Sequence, residues 1–364
     1  MTFRDEEGDM PKGPTSADVA REAGVSQSTV SYVMSGKRPI SPETRRRVQE
    51  AIDRLTYEPH AGARALAGHR TSTIAVVVPV RPESGAQRLM MFVEEIVLAA
   101  RRRDHDVLLV TADEGPAGLR RVAGRSLCDA VVVMEVGTED ERVAVARELA
   151  LPVVFIGIPG DSAGLDCLDF DFEGAGRLLV AELADLGHRS VDVLGWAPDA
   201  VAQGINYVPR FERGARAAAA QRGVELRWHR PAGEADVHRA VDGALASGDV
   251  PGLVLAAAIP ETLRALTDRG SRPGRDADVV GLATDAEAES YGLTAASTQP
   301  RDVSRRVMER VFALIDGDVA PGRGAELVPA VLARRGSTSP AGHPGSPRWR
   351  PRREGPTPQQ HPNR

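Results

Sequence analysis

Short, wholly apolar runs recur along most of this chain, and stretches of helical periodicity separate them. The first, Ile74-Ala75-Val76-Val77-Val78, has no polar residue on either face. A strand of that kind is buried on both sides, as happens in a parallel sheet covered by helices above and below. Strands are expected over 74–78, 107–111, 130–134 and 153–157, with helices over 88–103, 119–126 and 139–149 between them. In the first helix Leu89, Phe92, Val93, Ile96, Val97 and Ala100 are spaced for one inner face. A second cycle begins near residue 168. Its helices fall over 173–186, 210–222, 237–246, 261–269 and 303–315, and its strands over 190–194, 252–256, 277–282 and 326–328. Alternation of this kind builds doubly wound parallel sheets. The fold class expected here is an α/β body of two such lobes, with crossovers near 168 and 298.

The stretch before residue 71 reads differently, as an all-α head. Thr15 with Asp18 three residues on has the form of a capping box. A first helix follows, with Val19, Ala20 and Ala23 facing inward, and Gly24 closes it in a tight turn. Ser26 is a natural N-cap for a second helix over 27–34, with Val30, Val33 and Met34 on one face and Gln27, Ser28, Ser31 and Tyr32 on the other. Short hydrogen-bonding side chains opening an exposed helix are what base edges and phosphates require of a helix-turn-helix reader. Ser41-Pro42 starts a third helix, continued by Val48, Ala51, Ile52 and Leu55. A three-helix protein-binding module would share the shape, but not the polar second helix with local positive charge. Residues 12–70 hold ten Lys/Arg against six Asp/Glu, in a chain whose net charge is -5. A basic head on an acidic body is the asymmetry expected when only the head approaches phosphate.

The segment 57–68, YEPHAGARALAG, is an Ala-rich piece of about two turns, too short to be a stable helix alone. Leu66 is its one large apolar side chain. An ordinary linker has no use for it, whereas a wedge at a minor-groove base step does, and the bend adds sequence preference through deformation energy.

The stretch DVAREAGVSQSTVSYVMSGKRPISPETRRRVQEAIDRLTYEP, followed by ARALAG, resembles the head of the lactose-repressor/galactose-repressor (LacI/GalR) family of bacterial transcription regulators. The resemblance implies that the second helix lies in the major groove, with Gln27, Ser28 and Tyr32 at base-reading positions. Ser26, Thr29 and Ser31 match phosphate-contacting positions, and Ala63 and Leu66 the minor-groove hinge. Three residues depart from the family pattern. Tyr32 stands where Arg or His is frequent, which removes a bidentate guanine contact from that position. His60 replaces the usual Asn, and Gly62 lowers helix propensity in the hinge by about 1 kcal/mol relative to Ala.

The segments FDFEGAGRLLVAELADLGHRSVDVLG, DADVVGLATD and LTAASTQP resemble landmarks of that family's periplasmic-binding-protein-like sensor. This implies a small-molecule effector, such as a sugar, held between the lobes. Several usual carriers of hydroxyl contacts are missing: the chain has Leu282-Ala283-Thr284 after Gly281, Ala256-Ala257-Ala258 after the earlier strand, and Phe211 before Gly214. Asp169, Asp171, Arg210 and Arg213 are the remaining candidates for effector contact, although acids at strand ends are also commonly solvated or structural.

Catalytic chemistry finds little support. Gly174-Ala175-Gly176 opens a helix but lacks the third Gly of a dinucleotide loop, and no Ser-His-Asp order stands out. The eight His never reach metal-ligand spacing with Cys or carboxylates, and two Cys make no disulfide framework. No enzyme, cofactor or metal site is therefore expected. The polar N-terminus and the lack of any apolar run of membrane-spanning length point to a cytoplasmic chain without membrane contact.

The expected division is a disordered extension over 1–13, a helix-turn-helix domain over 14–58, a hinge over 59–70, an effector-binding and dimerisation domain over 71–338, and a disordered Pro/Arg-rich tail over 339–364. The function expected is a homodimeric regulator, a repressor, on pseudo-palindromic operator DNA. Its rivals are a regulator with a degenerate pocket and a cytosolic small-molecule-binding protein whose helical head is incidental.

Overall fold

The computed structural model describes residues 14–35, 38–57, 70–78 and 86–339. The N-terminal extension, the hinge with His60, Gly62, Ala63 and Leu66, and the tail beyond Ser339 lie outside the described residues. The chain divides near Thr73 into two compact units, a helical head and an α/β body.

The head holds α1 (Ser16–Ala23), α2 (Gln27–Ser35) and α3 (Pro42–Leu55). Each begins at a side-chain cap. The Thr15 hydroxyl accepts from the Asp18 N–H while the Asp18 carboxylate accepts from the Thr15 N–H at 2.9 Å, closing the capping box. Ser26 Oγ accepts from the Thr29 N–H at 3.1 Å, and Ser41 Oγ from the Thr44 N–H at 3.2 Å. Gly24, at φ 64°, turns the chain out of α1 in the left-handed region that a side chain disfavours. Val19, Ala20, Ala23, Val30, Val33, Val48 and Ala51 fill the centre. Two residues differ from the sequence reading. Met34, assigned to the inner face of α2, is 40% exposed. Tyr57, read with the hinge segment, is buried in the head core.

The body opens with β1 (Thr73–Val78), α4 (Ala86–Arg101), β2 (Asp106–Thr111), α5 (Gly115–Gly124), β3 (Ala130–Val133), α6 (Arg142–Glu148), β4 (Val153–Ile156) and β5 (Asp166–Phe170). It continues through α7 (Phe172–Asp185), β6 (Ser190–Leu194), α8 (Pro198–Ala202), α9 (Tyr207–Arg222), β7 (Glu225–His229), α10 (Glu234–Leu245), β8 (Gly252–Leu255), α11 (Ile259–Asp268), β9 (Asp278–Ala283), α12 (Asp285–Ser290) and β10 (Thr294–Ser297). Last come α13 (Pro300–Asp316), β11 (Gly324–Val328) and β12 (Leu332–Ala333).

Two six-stranded sheets result, ordered β11-β5-β4-β3-β1-β2 and β12-β10-β9-β8-β6-β7. The central strands β3, β5, β8 and β9 are buried at every residue; apolar runs demand this of β3 and β8, whereas β5, with Asp166 and Asp169, carries no such run and is not among the strands expected from the sequence. The chain passes from the first sheet to the second after β5 and returns after β10. It then crosses a third time, from β11 to β12, which pairs antiparallel with β10. That third passage is not visible in the sequence pattern. The body's packing runs on to Ser339, whose N–H donates to Asp278 Oδ1 at 2.6 Å.

Val97, counted on the inner face of the first body helix, is 43% exposed. The buried stripe of α4 is narrower, formed by Val93, Ile96 and Ala100. Met90, Val97 and Leu98 make an outward apolar stripe, and Leu109 on β2 is 53% exposed.

Helices α7 and α9 pack closely because glycines meet backbone there. A Cβ on Gly214 would collide with the Glu173 carbonyl, and one on Gly176 with the Phe211 carbonyl. Gly176, the second glycine of the incomplete dinucleotide motif, thus serves helix packing. This contact sets Arg210 and Phe211 against the start of α7.

Candidate nucleic-acid interface and interlobe site

On α2 the buried pair Val30 and Val33 orients the helix, and the remaining face is polar. Ser26, Gln27, Ser28 and Ser31 are exposed, while Thr29 and Tyr32 are half-buried. The six candidate contacts of the head are therefore gathered at one helix and its cap. Ser26 Oγ lies 2.8 Å from both Ser28 Oγ and Thr29 Oγ1, and Gln27 Nε2 donates to Ser16 Oγ at 2.8 Å. Exposed hydrogen bonds of this kind are worth little net energy and exchange readily for others. Tyr32 is covered by Arg38, whose guanidinium carbon stands 5.2 Å from the ring centroid.

The arginines of the head fall into two groups. Arg21 pairs with Asp18 and Arg54 with Glu22, while Arg46 lies 3.8 Å from Glu50. Arg38, Arg45 and Arg47 have no carboxylate partner among the described residues and are exposed. Unpaired guanidinium groups beside a polar helix face are suited to phosphate oxygens. The remaining two candidates, Ala63 and Leu66, lie outside the described residues.

In the body, Asp169 and Arg210 are brought together at 2.5 Å, with only 10% and 8% of their side chains exposed. The pair joins β5 to α9 across the first crossover. Arg210 also donates to the Phe170 carbonyl at 3.0 Å and lies 5.9 Å from the Phe172 ring centroid. Burial pushes the Asp169 carboxyl up to about 6, and the Arg210 guanidinium offsets part of that rise. Asp171 and Arg213 are spent elsewhere. Asp171 caps α7 by accepting from the Gly174 N–H at 2.8 Å, and Arg213, 62% exposed, pairs with Glu173 at 2.7 Å.

Sequence reasoning missed the aromatic residues gathered beside that pair. Phe172 stacks on Tyr207 with centroids 5.0 Å apart, and Phe170 meets Phe172 edge-on at 5.2 Å. Trp196 contacts both Tyr207 and Phe211 at 5.4 Å. A signal was present: aromatic residues are only 4% of the chain, yet these five fall between 170 and 211. Next to them the two lobes are joined through backbone. The Thr138 N–H donates to the Gly204 carbonyl at 2.9 Å, and the Asn206 N–H to the Val136 carbonyl at 3.0 Å.

The C-terminal ends of β8, β9 and β10 are poor in free polar groups. Ala256 and Ala283 are buried, and the Thr284 hydroxyl is engaged in a capping box with Glu287. Ser297 Oγ and Thr298 Oγ1, at the end of β10, are buried without a protein partner. Cys167 is buried in β5, and burial pushes its thiol up to about 12, followed by the neighbouring Asp166 and Asp169 charges. It is a neutral thiol at physiological pH. Among the described residues no group of three or more His, Cys, Asp or Glu is placed to hold a metal ion, and no helix is long and apolar enough to cross a membrane.

Two family models match the chain. That for bacterial regulatory proteins of the lacI family covers residues 15–60, and that for the periplasmic binding protein-like domain covers 180–338. Catabolite control protein A of Staphylococcus xylosus is 33% identical over 181 residues, 49% of this chain and 54% of that protein. The protein of the same name from Priestia megaterium is 29% identical over 214 residues, 58% of this chain and 62% of that protein. The matched regions thus span little more than half the length of these relatives. Among solved structures, the lac repressor dimer bound to operator and the anti-inducer ONPF superposes with a TM-score of 0.73 at 22% identity, covering 90% of this chain and all of that one. The transcriptional regulator CelR in complex with cellobiose gives 0.57 at 24% identity, covering 89% and 99%. The structural likeness shows the fold, a helix-turn-helix head followed by two parallel-sheet lobes. Residues 15–60 thus match the lacI family of bacterial regulatory proteins, and residues 180–338 match the periplasmic binding protein-like domain.

Proposed function

We propose that this chain is a sequence-specific transcriptional regulator, acting as a repressor, that binds a pseudo-palindromic operator as a homodimer. The observation that carries the reading is the exposed polar face of α2, flanked by arginines that have no carboxylate partner among the described residues. Gln27, Ser28 and Tyr32 read bases in the major groove, and Ser26, Thr29 and Ser31 hold phosphates. Ala63 and Leu66 enter the minor groove at the centre of the site, with Leu66 as the wedge. The outward apolar stripe of α4, with Leu109, supports a second copy as partner, because a monomer gains nothing by exposing it. The reading is tested by selecting binding sites from random DNA with the full chain. A half-site motif that changes at defined positions in Gln27→Ala or Ser28→Ala supports it, and the absence of any enriched motif overturns it.

The control of this regulator departs from a hydroxyl-rich sugar site. Asp171 caps α7, Arg213 on α9 pairs with Glu173 on α7, Ala256 and Ala283 offer no polar side-chain atoms, and aromatic rings cluster beside the Asp169–Arg210 pair. The effector is accordingly a small molecule with few hydroxyl groups, and Ser297, Thr298 and the Asp169–Arg210 pair are its polar contacts. A second reading, a pocket that no longer responds to sugars, is favoured by the same aromatic packing. Calorimetric titration with sugars and nucleosides separates the two: saturable heat with either class supports the effector reading, and none with both supports the second.

A further inference from the structure

We propose that Arg38 is a specificity-determining residue of the reading head, held over Tyr32 so that its guanidinium contacts a guanine. The inference rests on the DNA-binding reading above and adds a base contact to it. Tyr32 occupies a base-reading position with a side chain that cannot make the bidentate contact to guanine O6 and N7. The structure sets a guanidinium at that same place from another part of the chain, with Arg38 Cζ 5.2 Å from the Tyr32 ring centroid.

The manner of attachment matters. A guanidinium held by a carboxylate commits its N–H groups to that partner, as Arg54 does to Glu22 at 2.6 Å. A guanidinium resting on an aromatic face is held through its own π face, and its N–H groups, which lie in its plane, stay free. Arg38 has no carboxylate partner among the described residues and is exposed, while Tyr32 beneath it is half-buried. The ring therefore serves as a platform, and the donor fork extends the face formed by Ser28 and Tyr32, which are one helical turn apart on α2. Among the described residues Arg45 and Arg47 also lack a carboxylate partner, but they lie on α3, and no described aromatic ring orients them. They match the positional demands of phosphate contacts, whereas Arg38 has the fixed geometry that base reading requires.

The test compares binding-site selection by the full-length chain and its Arg38→Lys, Arg38→Ala, Tyr32→Phe and Tyr32→Leu variants, with affinities measured at several salt concentrations. Arg38 is exposed, so the head keeps its fold, which circular dichroism verifies. The expected result is a guanine at one position of each half-site in the wild type. Tyr32→Phe, which keeps the platform, retains it. Arg38→Lys, which keeps the charge but loses the fork, reduces discrimination at that position by about tenfold or more, as do Arg38→Ala and Tyr32→Leu. An unchanged motif in Arg38→Lys overturns the inference. So does an equal loss on all sequences with the salt dependence lowered by about one phosphate, which marks a backbone contact. A wild-type chain that enriches no motif overturns the regulator reading as well, so the two failures are distinguishable.

Discussion

Replacing Arg210 by Met tests whether the buried ion pair at the first crossover holds the body together. Met approximates the length of the Arg stem, so the perturbation is chiefly electrostatic. It leaves the Asp169 carboxylate, 10% exposed, without its counter-charge. It also removes the donor to the Phe170 carbonyl and the cation beside Phe172. Breaking a buried pair on one side costs about 3–5 kcal/mol, because the remaining charge is uncompensated. At about 2–4 °C per kcal/mol for a domain near this size, the melting temperature falls by roughly 6–20 °C at about pH 8. The pH dependence has a definite sign. The folded-state value of Asp169, about 6, lies above the ordinary 3.8 because burial favours the neutral form. Its contribution to stability is therefore greatest below 3.8 and is lost as pH rises through about 6. Without Arg210 the carboxyl rises further, so the penalty of Arg210→Met is small near about pH 4.5 and full near about pH 8. The double variant Asp169→Leu/Arg210→Met, which removes both charges, recovers most of the loss. Thermal melts and urea denaturation at the two pH values measure all of this. A penalty under about 1 kcal/mol at the higher pH, or a double variant as unstable as the single one, would refute the reasoning.

Thr15→Ala, which removes one half of the α1 capping box, lowers head stability by about 1 kcal/mol, read as a lower midpoint for loss of DNA affinity in urea. Gly214→Ala drives a methyl group into the Glu173 carbonyl and destabilises the body by more than about 3 kcal/mol, or prevents soluble expression, whereas Gly243→Ala, with open space around it, leaves stability within about 1 kcal/mol of wild type or raises it. Thr298→Val replaces an unpartnered buried hydroxyl by a methyl of similar shape, so stability is unchanged or higher by up to about 1 kcal/mol, while affinity for a bound effector falls. A measured loss of stability would show that the hydroxyl has a structural task instead.

Much of the head was legible because its determinants are local. Thr15 with Asp18, Ser26, and Ser41 with Pro42 mark helix starts within three residues of the backbone groups they satisfy. Their identity alone specifies α1, α2 and α3. The central strands β1, β3, β4, β6, β8 and β9 were legible for a related reason, since a run such as Ile74–Val78 is compatible only with burial on both faces. Strands β5, β7, β10 and β12 escaped. Strand β7 carries Glu225, Arg227 and His229 on an outer edge of its sheet, where one face needs no apolar cover. The outward turn of Val97 and Met34 escaped too, because periodicity gives the spacing of a stripe but neither its width nor what lies opposite it.

The amino-acid sequence by itself determined the element types, the head-and-body division and the polar face of α2, all through interactions spanning a few residues. Tertiary structure decided which distant groups meet. Arg210 reaches Asp169 across 41 residues, five scattered aromatic rings close on one another, and β11 returns to the first sheet before the third crossover. It also set Arg38 over Tyr32, giving back a cation at a position where the sequence alone shows only a phenol. Spacing along the chain encodes local geometry, but contact between separate elements depends on the packing of everything between them.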